Sequence, residues 1–217
     1  MDLDRLVPSL IAIGLILLIS FPVHEFAHAL AAYRLGDSTA RLFGRLTLNP
    51  IAHFDPVGGI ILILSGLTGF IIGWAKPTPV NPLNLGGGRN GEAIVAFAGP
   101  ASNLVLAVAG AIPLRYILAT ELAVPSIAVE ALFLFVFFNV LLMLLNLLPI
   151  APLDGSKILF ALMDPRTAYR VRPIFEQWGF LILIGAAFLP ILPGGRTLLS
   201  VVFESIGVPL VNFLIGV

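Results

Sequence analysis

Residues 6–30 read LVPSLIAIGLILLISFPVHEFAHAL, and the reading of this stretch decides the fold class. From Leu6 to Phe21 the run is almost uninterruptedly apolar, and Ala27, Ala29, Leu30, Ala31 and Ala32 extend it. A helix needs about 20 predominantly apolar residues to cross a bilayer, and this run supplies them. His24, Glu25 and His28 stand at its inner end. Ionisable side chains at membrane depth are costly and mark function by default, so three of them together call for a common partner. A metal ion is the simplest one.

Working outward, the rest of the chain has the same character. Of its 217 residues 59% are hydrophobic and 11% charged, against about 45–50% and about 25% in soluble domains. Further apolar runs at about 92–118, 127–148, 174–189 and 197–215 give an all-α polytopic membrane protein with about five to six transmembrane helices. We expect a single integral-membrane domain over 1–217, with a core at about 5–164 and additional C-terminal helices at about 174–215. The formal net charge is zero, and without a basic tail nothing points to nucleic acid; the lipid bilayer is the expected surrounding. The absence of cysteine excludes disulfides and thiolate metal sites, leaving His, Asp and Glu for any metal chemistry.

Two stretches between the spans have their own signals. STARLFGRLTLNP (38–50) looks extended, with β-prone Thr47 and Leu48, and is expected to form one or two short strands at the membrane surface. The run 57–74 carries Gly58, Gly59, Gly66, Gly69 and Gly73. Arg34, Arg41 and Arg45 follow the first span, Lys76 and Arg89 follow run 57–74, and Lys157, Arg166, Arg170 and Arg172 follow the fourth. If all three groups are cytoplasmic, nine of the twelve Lys and Arg lie inside. The 57–74 run then dips in and returns, tolerable at membrane depth where it is buried in protein or faces a wet cavity. An ordinary spanning helix there would instead put the loop around Asp154 on the side opposite His24 and His28.

His24 and His28 are four residues apart, so on a helix both rings project from one face, one turn apart. That lets two nitrogens reach one zinc ion at about 2.0–2.1 Å, and Glu25, beside the first ligand, is placed to take a proton from the attacking water. HExxH on a helix has this mechanism in zinc proteases. A hydrolytic site needs a third protein ligand. The candidates are His53, Asp55 and Asp154, with Asp37 and Asp164 less suited. Asp154 is favoured because a tight turn at Gly155 aims its carboxylate back at the bundle, whereas Asp55, before Pro56, reads as a turn or cap residue.

Several separated motifs occur in order: HEFAH at 24–28, GRLTLNPIAHFDP at 44–56, GWAKPTPVNP at 73–82, FAGPASN at 97–103 and NLLPIAPLDG at 146–155. In this the chain resembles the site-2 proteases, zinc metalloproteases that cut within membranes, in a compact form without PDZ or CBS domains. The resemblance implies one Zn2+ per chain held by His24, His28 and Asp154, with Glu25 as general base. It also implies that Asn146 helps hold the substrate strand or the oxyanion, and that Asn103 supports the site. Read without the family, Asn146 is equally a helix cap before a proline, and Asn103 a small polar residue bonding between packed helices. His53 either assists at the edge of the site or bonds local backbone, and the latter reading is preferred.

The implied reaction is regulated intramembrane proteolysis, the hydrolysis of peptide bonds in or near transmembrane segments of membrane protein substrates. The implied place is a prokaryotic cell membrane, with the active site toward the cytoplasm. Because a helix hides its carbonyls, the substrate must be extended locally, for example as a strand added to an exposed edge; RLTLNP is the expected edge. The rival reading is a metal-binding membrane protein or transporter without protease activity, but such a site has no use for Glu25.

Overall fold

The computed structural model describes residues 3–67 and 73–217, with the side chains of 3–6, 9 and 65–67 outside the description. The first span is a single rod: α1 (Leu3–Leu15), one π turn (Ile16–Ser20) and α2 (Phe21–Arg34). The π turn has a local cause. Pro22 has no N–H and its ring crowds the carbonyl four residues back, and widening the turn just before it relieves the clash, with Phe21 N–H bonding the Ile16 carbonyl. Such turns occur often at functional sites, and the histidines follow at once.

Two long helices make the scaffold. α6 (Arg89–Thr120) and α7 (Ser126–Leu147) pack along each other, and α6 also meets α2, α8 (Asp154–Leu162) and α11 (Val208–Ile215). Small residues let these backbones approach: Ala107 and Ala111 of α6, with Leu114, lie against Val136 and Val140 of α7 and Val211 and Ile215 of α11. α9 (Pro165–Phe188), opened by an Asp164 side-chain cap and Pro165 at its first turn, takes in the basic stretch that sequence placed before it. α10 (Leu198–Val202) runs through a π turn at Phe203–Gly207 into α11. Among the described residues, five helices are long and apolar enough to cross a membrane: Leu10–Arg34, Arg89–Thr120, Ser126–Leu147, Pro165–Phe188 and Leu198–Ile215. With Val105, Ile112, Phe180 and Phe213 exposed on their outer faces, these helices present an apolar exterior suited to lipid. The chain is an all-α, multi-pass membrane protein.

The expected surface strands are not there. Residues 38–53 hold two single-turn helices, α3 (Thr39–Leu42) and α4 (Pro50–His53), joined by irregular chain. Asn49-Pro50 is a helix start and not the end of a strand: the Asn49 side chain accepts the Ile51 N–H, and Pro50 occupies the first turn. Among the described residues the only β pairing is an isolated bridge between Leu192 and Arg196.

α5 (Pro56–Leu67) leads into the 57–74 run, whose tip at 68–72, with Gly69, lies outside the described residues. Its two ends meet. Lys76 N–H donates to the His53 carbonyl at 2.9 Å, and a Cβ on Gly58 would stand 2.2 Å from the Trp74 carbonyl oxygen. The described ends of this run therefore lie side by side. Asp55 opens α5, accepting the N–H groups of Val57 and Gly58.

Candidate metal centre

α2 presents His24 and His28 on one face, and the i, i+4 spacing brings their Nε2 atoms to 3.0 Å of each other. The opposite nitrogens are anchored. His28 Nδ1 lies 2.7 Å from the Val95 carbonyl oxygen, an acceptor only, so it carries the proton. A longer chain of bonds sets His24. Asn139 Nδ2 donates to the Phe135 carbonyl, which leaves its Oδ1 to accept from Asn103 Nδ2 at 3.1 Å. Asn103 Oδ1 then faces His24 Nδ1 at 2.6 Å and accepts its N–H hydrogen bond. Both rings are thereby held with their Nε2 atoms turned inward, the arrangement that supporting partners give to metal-binding histidines.

Asp154 completes the group. It begins α8, directly after the Pro149–Leu153 turn, and its Oδ2 lies 3.4 Å from His24 Nε2 and 3.1 Å from His28 Nε2. Gly155 makes the approach possible: a Cβ there would lie 2.3 Å from the carbonyl oxygens of both Leu147 and Leu148, so only glycine lets α8 start so close to the end of α7. Lys157 Nζ lies 3.4 Å from the other oxygen, Oδ1. Gly99 does the same service on α6, where a Cβ would stand 2.3 Å from His28 Nε2 and 2.6 Å from His24 Nε2.

These atoms fit a zinc ion. Two imidazole nitrogens and a carboxylate oxygen converge on one point, a donor set that suits a zinc ion. Bonds of about 2.0–2.1 Å place the corners of a tetrahedron about 3.3–3.4 Å apart, close to the 3.0–3.4 Å between these donors. All three residues are buried, and no other cluster of metal-ligating side chains occurs among the described residues.

Beside them Glu25 is buried too, its Oε2 accepting the backbone N–H of Thr78 at 2.7 Å. The remaining sequence candidates divide. Asn103 lies in the group, at His24. Asn146 does not: its Nδ2 donates to the Leu142 carbonyl of its own helix at 3.0 Å. His53 lies outside the donor group and bonds the Thr47 carbonyl at 2.7 Å, the local role preferred from sequence. Asp37 is engaged by the Thr39 and Asn81 N–H groups, and Asp164 caps α9. Sequence reading missed Asn139 and Thr78. A buried asparagine four residues after Phe135 carries no local signal, and Thr78 acts through its backbone.

Comparison with known proteins agrees with this geometry. Residues 113–192 match the family described as Peptidase family M50. A protein of Bacillus subtilis (strain 168), provisionally named zinc metalloprotease YwhC, is 38% identical over 206 residues, covering 89% of this chain and 91% of its own. This chain belongs to peptidase family M50. Two mycobacterial relatives, each provisionally named zinc metalloprotease Rip2, are similar over about two thirds of their own length. The one from Mycolicibacterium smegmatis is 36% identical over 179 residues, 81% of this chain. The one from Mycobacterium tuberculosis (strain H37Rv) is 30% identical over 189 residues, 82% of this chain. No solved structure matches.

Proposed function

We propose that this zinc metalloprotease hydrolyses peptide bonds in or near the transmembrane segments of membrane proteins, with His24, His28 and Asp154 as zinc ligands and Glu25 as general base. The observation that carries the reading is the convergence of His24 Nε2 and His28 Nε2, from a helix apolar enough to span a bilayer, with Asp154 Oδ2 from the start of α8, next to a buried glutamate. Zinc, when bound, supplies a Lewis acid that polarises the scissile carbonyl and lowers the pKa of water toward about 7.

The residues of the chain do the rest. Glu25 accepts the proton of the attacking water and passes it to the leaving amine. With Oε2 held by Thr78, its other oxygen has no partner among the described residues and is free for that transfer. Asn103 and Asn139 keep His24 in the ligating tautomer. The catalytic core spans about residues 5–164, with 174–215 as helices added to it. The substrate must be extended to expose its carbonyl. Residues 44–49 are a poor edge for it, because they form no strand and the Thr47 carbonyl is taken by His53.

The site faces the cytoplasm on this reading. Bonds from Gly86 N–H to the Leu35 carbonyl, from Arg89 to the carbonyls of Phe160 and Met163, and between Arg172 and Glu92 gather the basic loops at one end of the bundle, the end the positive-inside rule assigns to the cytoplasm. The test is cleavage of a fluorogenic transmembrane-segment peptide by detergent-purified protein. Wild type should cleave and Glu25→Gln should not, at equal zinc content. Equal cleavage by the two would remove Glu25 from the mechanism, and zinc-loaded wild type inert toward every such peptide would contradict the proteolytic reading.

A further inference from the structure

The stretch Lys76-Pro77-Thr78-Pro79-Val80-Asn81-Pro82 has three residues that precede a proline, and the residue before a proline is driven toward extended backbone. Those three are Lys76, Thr78 and Asn81, and each uses its N–H to grip a different part of the protein. Lys76 N–H bonds the His53 carbonyl at 2.9 Å, Thr78 N–H bonds Glu25 Oε2 at 2.7 Å, and Asn81 N–H bonds Asp37 Oδ2 at 2.7 Å. The Thr78 hydroxyl adds a bond to the Glu25 main-chain carbonyl at 3.0 Å, and the buried Arg45 guanidinium donates to the Lys76 carbonyl. Residues 76–81 are thus a pre-extended strap, tied at both ends, whose middle lies on the Glu25 carboxylate.

Asp37 is the far tie. It is wholly buried, at the turn that ends α2, and accepts four bonds: the Thr39 N–H and hydroxyl, the Asn81 N–H and the Asn84 side-chain amide. Nothing in turn-making demands that a carboxylate at a helix end bind a loop more than forty residues away. We propose that Asp37 is a positioning residue for the reaction: through Asn81 and Asn84 it holds the strap in place, and the strap's Thr78 N–H aims the Glu25 carboxylate. The inference rests on Glu25 as general base. A displacement of about 1 Å at a catalytic group costs about 100-fold in rate, so slackening the strap lowers kcat and leaves the ligand set intact.

The experiment compares full-length wild type, Asp37→Ala, Thr78→Pro (which deletes the N–H while keeping extended backbone), the double variant and Glu25→Gln, each in detergent with a fluorogenic transmembrane-segment peptide. Bound zinc is measured alongside kcat and KM. We expect Asp37→Ala to lose about 10- to 100-fold in kcat with KM and zinc content within about twofold of wild type. The double variant should be no slower than the slower single one, because Asp37 acts through the bonds of Thr78 to Glu25, which Thr78→Pro already removes. Unchanged or raised kcat in Asp37→Ala overturns the proposal, the latter because it would make the strap an obstruction. Losses that multiply in the double variant overturn it as well. If Asp37→Ala does not accumulate as folded protein, Asn84→Ala, which removes one of the four bonds, must show a smaller kcat loss at unchanged KM, and a wild-type kcat there sinks the proposal. A Glu25→Gln variant as fast as wild type refutes the base assignment instead, a result distinct from any of these.

Discussion

Gly99 offers the sharpest perturbation of the candidate metal centre, because a single methyl group is aimed at the Nε2 atoms of both His24 and His28. A Cβ at this position would lie 2.3 Å from His28 Nε2 and 2.6 Å from His24 Nε2, where ordinary contact begins at 3.4 Å. Gly99→Ala therefore forces α6 and α2 apart, or turns the rings away, by about 1 Å. Neither response is cheap. His28 is tied to Val95 and His24 to Asn103, both on α6 itself, so moving the helix drags the supports along with the methyl. Alanine is a better helix former than glycine by about 1 kcal/mol, so α6 has no intrinsic reason to unfold. We expect a folded protein whose zinc affinity falls by about 10- to 100-fold and whose kcat/KM falls by about 100-fold. Chelator competition followed by metal analysis reads the first, peptide cleavage the second, and the helical circular dichroism signal guards against unfolding. A Gly99→Ala protein that holds zinc as tightly as wild type would refute the placing of the ion between these rings.

Three further outcomes follow from the same geometry. Asn103→Leu removes the acceptor that sets the His24 tautomer and should weaken zinc binding by about 10- to 100-fold, whereas Asn139→Leu, one bond further away, should cost less; equal affinity in wild type and Asn103→Leu would count against the tautomer argument. Gly155→Ala, which drives a methyl into two carbonyl oxygens at 2.3 Å, should displace Asp154 and lower zinc occupancy, measured by metal content after gel filtration. For Asp37, burial opposes ionisation, yet the Thr39 hydroxyl, the Asn81 and Thr39 N–H groups and the Asn84 amide hold its carboxyl below the ordinary 3.8. A depressed folded value gives stability that is present above the unfolded pKa and lost as pH falls through the folded one. The Tm gap between wild type and Asp37→Asn should thus be full at neutral pH and narrow only below about pH 4, and a gap that closes at higher pH would contradict the bonding.

Much of this centre was legible in the sequence because its parts are local patterns. The histidine pair needs only helical periodicity, and Asp154 with Gly155 needs only a proline-broken turn after an apolar run. The strap was not legible in the same way. Its contacts run through main-chain N–H groups to partners more than twenty residues distant, and such groups are identical in every non-proline residue. Only the prolines hinted at it, by marking Lys76, Thr78 and Asn81 as extended. The error over residues 38–50 came from weighing Thr47 and Leu48 as strand formers when Asn49-Pro50 was the stronger signal, a capping side chain followed by the residue best suited to a first helical turn. The run expected at about 174–189 belongs to a helix that begins earlier for a related reason: Asp164-Pro165 starts it in the same way.

On the proposed function, one zinc ion held by His24, His28 and Asp154 works with Glu25 as base. The most direct measurement is zinc stoichiometry and peptide cleavage on the same preparations of wild type, Glu25→Gln and Asp154→Asn. About one zinc per chain is expected in the first two, cleavage only in the first, and neither zinc nor cleavage in Asp154→Asn. A fully zinc-loaded Asp154→Asn protein, or a Glu25→Gln protein that cleaves at the wild-type rate, would contradict the account.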